Sequence, residues 1–98
     1  MLSQLEEIFD IKTIKKAEKI IDNIPVEVYI EKDTVHLTYK GTEGVYSIIV
    51  STDFPPSCTC PAFVSGKICK HIPYALYWAS KWVSPETFNK MKEQARKL

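Results

Sequence analysis

The stretch Cys58-Thr59-Cys60-Pro61-Ala62-Phe63-Val64-Ser65-Gly66-Lys67-Ile68-Cys69-Lys70-His71 holds all three cysteines of the chain and one of its two histidines. Residues i and i+2 of an extended segment project to the same side, so Cys58 and Cys60 can reach one point from a strand end. A helix would point them apart. The same reasoning puts Cys69 just before a helix and His71 in its first turn. Pro73 agrees, because the first turn tolerates a missing N–H. An odd number of cysteines, packed into twelve residues, argues against a disulfide framework and for a metal. Three thiolates and one imidazole make a closed tetrahedral set of borderline-soft donors, which selects zinc over magnesium or calcium. A closed set leaves no position for water. The expected ion is therefore one structural Zn2+ held by Cys58, Cys60, Cys69 and His71, and no enzymatic activity is expected.

Upstream of this stretch, Asp53-Phe54-Pro55-Pro56 stops a region of period-two hydropathy. Val26, Val28 and Ile30 alternate with Glu27, Tyr29 and Glu31, and Val35, Leu37 and Tyr39 alternate with Thr34, His36 and Thr38. Lys32-Asp33 lies between them where a tight hairpin needs its turn. After a turn at Gly41 and Gly44, Val45–Ser51 reads as a third strand, apolar on both faces at Ile48, Ile49 and Val50 and the most buried of an antiparallel meander. Before the sheet, Leu5, Ile8, Phe9, Ile14, Ala17, Ile21 and Ile24 recur at helical spacing. Ser3 and Glu6 fit a capping box there, Asp10 could cap a second helix, and Pro25 ends the segment.

Downstream, Ile72, Ala75 or Leu76, Ala79 and Val83 continue a helix, and Ser84-Pro85-Glu86 starts another with the stripe Phe88, Met91, Ala95 and Leu98. The expected architecture is α+β: an N-terminal helix, a three-stranded antiparallel sheet, a zinc-binding loop and two C-terminal helices. A chain of 98 residues suits one domain. Within it, residues 1–24 form a helical segment, 25–51 the sheet, 52–83 the metal finger and 84–98 the last helix.

Charged residues are 26% of the chain and apolar residues 45%, as in ordinary globular proteins. No run is long and apolar enough for a bilayer, and the acidic start lacks the plan of a signal peptide, so an intracellular location, cytoplasmic or nucleoid-associated, is expected. The charge is uneven. Through Ser57 there are six Lys/Arg against ten Asp/Glu, and from Cys58 onward seven against two. Halves of about −4 and +5 point to an anionic or acidic partner on the second side. Phosphate loops, nucleophile elbows and carboxylate pairs beside a metal are absent from the sequence.

Cys58-Thr-Cys60-Pro-Ala-Phe and Gly66-Lys-Ile-Cys69-Lys-His71-Ile together resemble the SWIM zinc finger, a Cys-x-Cys pair and a Cys-x-His pair running into an apolar helix. The resemblance covers roughly Val45 to Trp82. It implies a binding role, since these fingers occur in Swi/Snf-type helicases, Mutator-type transposases, ubiquitin-system proteins and partners of recombinase paralogues, with DNA or protein contact proposed. This chain has no room for a helicase or transposase domain and resembles most the small accessory proteins that pair with recombinase paralogues. The partner expected is DNA or a DNA-processing protein. The alternative is a protein-only adaptor or dimerisation unit, with the oligomeric state left open.

Lys67, Lys70 and Lys81 are the candidate phosphate contacts, set against the plain reading of a solvated helix face. Tyr74, Tyr77 and Trp78 are candidates for a partner surface. Aromatics at this spacing are more often core, but they occupy more than one side of the helix. His36, beside Thr34 and Thr38, reads as a solvated strand residue outside the site.

Overall fold

Lys32-Asp33 forms the two-residue turn that its position suggests, pairing Glu31 with Thr34 at the head of a hairpin between β1 (Glu27–Glu31) and β2 (Thr34–Lys40). Lys32 takes φ +55°, the left-handed conformation such turns require. The computed structural model describes residues 2–98. β3 (Val45–Ser51) pairs antiparallel along the whole of β2, setting Tyr39 opposite Tyr46, Leu37 opposite Ile48 and Val35 opposite Val50. At the β2–β3 turn Gly41 lies against the Tyr39 ring so closely that a Cβ would stand 2.5 Å from its hydroxyl. A larger residue there would displace that ring.

The sheet has four strands where three were expected. Ser57 and Cys58 form β4, antiparallel to β3 with Cys58 opposite Ile48, so the order is β1-β2-β3-β4. A two-residue strand leaves no periodicity to read, which is why the sequence reads it as loop.

One face of the sheet is covered and the other is open. Val35, Leu37, Tyr39, Ile48 and Val50 are buried on the covered face. Above them lies α3 (His71–Ala79), whose residues from His71 to Leu76 are all buried, as suits a helix apolar on nearly every side. α4 (Pro85–Ala95) packs beside it through Phe88, Met91 and Ala95. Ser84 caps α4 by accepting from Thr87 N at 3.1 Å, with Pro85 at the first helical position, as the sequence indicates. Leu98, assigned to the same stripe, is 40% exposed because the helix ends before it. β1 overhangs the helical layer. Of the face expected to be buried, Val28 packs against the core, whereas Val26, just before the strand, and Ile30 stay exposed, so that face is covered only in part.

The N-terminal segment is not one helix. Ser3–Leu5 is a single 3-10 turn without a side-chain cap, so the capping box at Ser3 is not formed. Burying Leu2, Leu5 and Phe9 within eight residues suits a tight turn better than a longer helix. The helix proper is α1 (Ile11–Glu18), capped by Asp10, whose carboxylate accepts from Thr13 N at 2.8 Å. That bond holds the Asp10 carboxyl below its ordinary pKa.

α1 packs against α3, and two hydrogen bonds fix the turns that follow it. Tyr74 donates through its hydroxyl to Asn23 O, and Trp78 Nε1 donates to Ile21 O at 3.0 Å. Neither carbonyl accepts a backbone hydrogen bond in these turns. Tyr74 is fully buried, and burial pushes its phenol pKa up. The neutral phenol is thus favoured in the folded chain. Its contribution is fully present below the free tyrosine value of about 10 and is lost as pH rises above it. Tyr74→Phe is expected to cost about 1 kcal/mol at neutral pH and to weaken the alkaline loss of stability, as read by urea unfolding at two pH values.

Candidate metal centre

Each donor is placed by backbone that the local sequence explains. Thr59, between the first two cysteines, is strapped to β3 twice: its N–H donates to Ser47 O at 3.1 Å and its Oγ1 accepts from Ser47 N at 2.9 Å. This keeps the chain extended beyond β4, so that Cys58 and Cys60 turn to the same side. Cys60 then heads a one-turn helix, α2 (Pro61–Val64), with proline at its first position and Val64 N donating to Cys60 O. Gly66, at φ +96°, reverses the chain after α2. Cys69 precedes α3 and His71 is its first residue. Their placement matches the i, i+2 reasoning.

The donor atoms of Cys58, Cys60, Cys69 and His71 lie within 4.8 Å of one another, and all four residues are buried. A tetrahedron of zinc–sulfur bonds of ~2.3 Å has edges of about 3.8 Å, so the four stand close to the spacing an ion imposes. Both ring nitrogens of His71 are buried without a hydrogen-bond partner. An imidazole buried in that way is costly unless something takes a nitrogen lone pair. The donor set and the unsatisfied ring both fit one structural zinc. The cluster would supply three thiolates and one neutral imidazole, a set of formal charge −1 with the ion.

The three thiols are not equivalent. The Cys58 thiol beside it, followed by the His71 side chain and the Cys60 thiol, holds the Cys69 thiol well below the usual thiol range. The neighbouring Cys69 pushes the Cys58 thiol up, with burial adding to the shift.

The His71 ring is set between two tyrosines, 4.8 Å from Tyr39 and 5.1 Å from Tyr46 between ring centroids. Those residues face each other across β2 and β3. Glu43 Oε1, in the turn between these strands, is 3.9 Å from His71 Nε2 and 3.3 Å from Lys70 Nζ. The sequence reading did not assign Tyr39, Tyr46 or Glu43 to the site. Their signal was the hairpin register, which puts both tyrosines on the cysteine-bearing face once the Gly41–Gly44 turn is counted.

The binding-surface candidates divide. Lys67 is exposed in the loop before Cys69, and Lys70 is half-buried beside it with Glu43. Lys81 lies apart from them beyond α3, its Nζ 4.7 Å over the Tyr77 ring and 5.5 Å over Trp78. Tyr74 cannot belong to a partner surface because it is buried between Tyr39 and the Asn23 carbonyl. Tyr77 and Trp78 are half-buried, and Trp78 stacks on Trp82, which is 42% exposed. Among the described residues, no helix is long and apolar enough to cross a membrane.

The SWIM zinc finger family matches residues 26–73, a span that includes the sheet and all four donors. No curated protein and no solved structure matches the chain. The family match extends further toward the N-terminus than the resemblance read from the motif, taking in β1 and β2. Cys69→Ser is expected to lower bound zinc from about one per chain and to unmake the β4–α3 segment. Apparent zinc binding in finger peptides is worth ~10–16 kcal/mol against a whole-domain stability of ~5–15 kcal/mol. Metal analysis and hydrogen exchange of that segment provide the check, and an equally protected variant without zinc would refute it.

Proposed function

From the SWIM zinc finger formed within residues 26–73, we propose an accessory module that binds DNA or a DNA-processing protein in recombination or repair, with zinc in a structural role. The observation that carries this reading is the pairing of four buried protein donors with the exposed, basic loop they hold. Four protein ligands complete a tetrahedron, so the ion has no position for a substrate or an activated water. What the ion does instead is order the surface around it. Catalysis has no part in this proposal.

The basic half supports an anionic partner. Lys67 and Lys70 project from the loop between Ala62 and His71, where the metal fixes the backbone at both ends. Contacts of this kind with phosphates act through counterion release and carry no base sequence of their own. Binding is therefore expected to be strongly salt-dependent and weakly sequence-dependent.

A second reading, a protein-only adaptor or dimerisation unit, is favoured by one observation. Trp78 and Trp82 stack with centroids 6.0 Å apart at a part-exposed edge, with Lys81 over Tyr77 and Trp78. Aromatic residues with a nearby cation are the kind that anchor protein interfaces. The two readings separate by charge reversal. Lys67→Glu combined with Lys70→Glu is expected to abolish salt-dependent DNA binding in a fluorescence anisotropy titration while zinc content stays at one. If the wild-type chain shows no DNA binding at 50 mM salt and Trp82→Ala abolishes capture of a protein partner, the adaptor reading takes its place.

A further inference from the structure

One cavity of about 700 Å³ opens beside the zinc donors, with Cys60, Cys69 and His71 along its inner side. Its basic lining comes from two distant parts of the chain. Lys67 and Lys70 belong to the finger, whereas Lys16 and Lys19 belong to α1 and the turn after it, outside the matched family span. Thr13 lies on the same helix and also faces the cavity.

The charge is concentrated here. Among the described residues Glu43 is the only acidic member of the lining, and its carboxylate is already engaged with Lys70 at 3.3 Å. The four lysines less Glu43 leave +3 on the wall of the cavity, although the whole chain carries only +1. The remainder is thus net acidic, at −2. Zinc with three thiolates would lower the local sum by one and leave it at +2. A concave site with one sign of charge, on a molecule otherwise of the opposite sign, concentrates anions at that site.

The arrangement is held from below as well. Tyr74 and Trp78 of α3 anchor the turns after α1 at Asn23 and Ile21, and α3 begins with the ligand His71. The two lysine pairs are therefore fixed relative to each other through one helix. Lys16 and Lys19 are exposed and form no ion pair among the described residues.

We propose that α1 and the zinc loop together form a composite groove for the phosphodiester backbone of DNA, with Lys16 and Lys19 on one wall and Lys67 and Lys70 on the other. This rests on the DNA-binding reading above and adds to it a second wall that the finger alone does not supply. Lys81, beyond the far end of α3, is outside the groove.

The test uses the zinc-loaded full chain with a fluorescein-labelled 20-nucleotide single strand and a 20-base-pair duplex. Affinity is measured by anisotropy across a salt series. For every phosphate that a variant no longer neutralises, the slope of log K against log salt falls by ~0.7 on a single strand and ~0.9 on a duplex. Lys16→Gln combined with Lys19→Gln is expected to lower the slope by about 1.4 on the single strand, with roughly a twenty-fold loss of affinity at 0.1 M salt. Lys67→Gln with Lys70→Gln should do likewise, and Lys16→Arg with Lys19→Arg should retain binding. Lys90→Gln with Lys97→Gln, on exposed positions of the α4 segment, should leave the slope unchanged. Zinc content and circular dichroism establish that each variant is folded. If DNA binds but the Lys16/Lys19 variant keeps the wild-type slope, or the α4 variant loses as much, the groove is refuted and the DNA reading stands. If the wild-type chain binds neither probe, both fall.

Discussion

The four donors tie the end of β4 to the beginning of α3, and most of the rest of the molecule hangs from that tie. Between Cys60 and Cys69 the chain has only a one-turn helix and a glycine reversal, with few buried side chains of its own. Such a segment cannot offset the entropy of ordering it by apolar burial. Metal coordination can, because the ion binds the ordered loop and not the unfolded chain. The same argument explains the polarity of the site. A buried histidine with both nitrogens unpaired and three buried thiols would be a poor core, yet a cation that takes one ring nitrogen and the three sulfurs satisfies most of that polarity at once.

The tie reaches the remainder of the fold through aromatic contacts. Tyr39 and Tyr46 hold the His71 ring on the sheet side, and Tyr39 meets Tyr74 edge-on at 5.1 Å. Tyr74 in turn caps a carbonyl beyond α1. A continuous path of packed rings and hydrogen bonds thus runs from the donors to the N-terminal segment. This is why a helix that lies outside the matched family span is positioned next to the zinc loop, and why its lysines share a groove with those of the finger.

What could be read from the sequence was whatever repeats or pairs locally. Period-two hydropathy located β1, β2 and β3 to within a residue or so, and the Ser84-Pro85 signal located α4. The i, i+2 spacing of Cys58 with Cys60 and Cys69 with His71 gave their backbone settings, which the structure shares. β4 and α2 escaped notice because two and four residues are too short to show a period. The exposed side of β1 escaped because periodicity tells which face a side chain shares and not how far the covering layer extends. Charge counting by halves had the limit of any one-dimensional count. Lys16 and Lys19 sit in the acidic half of the sequence, and only the packing of α1 on α3 brings them to the basic side.

The central claim is that one zinc ion with a closed shell of protein donors organises this fold. X-ray absorption at the zinc edge of the purified, zinc-loaded chain tests it most directly. The account predicts three sulfur neighbours at ~2.3 Å and one nitrogen at ~2.0–2.1 Å, unchanged when the solution is exchanged for one containing a competing small anion. A first shell containing an exchangeable oxygen, or fewer than three sulfurs, would contradict it.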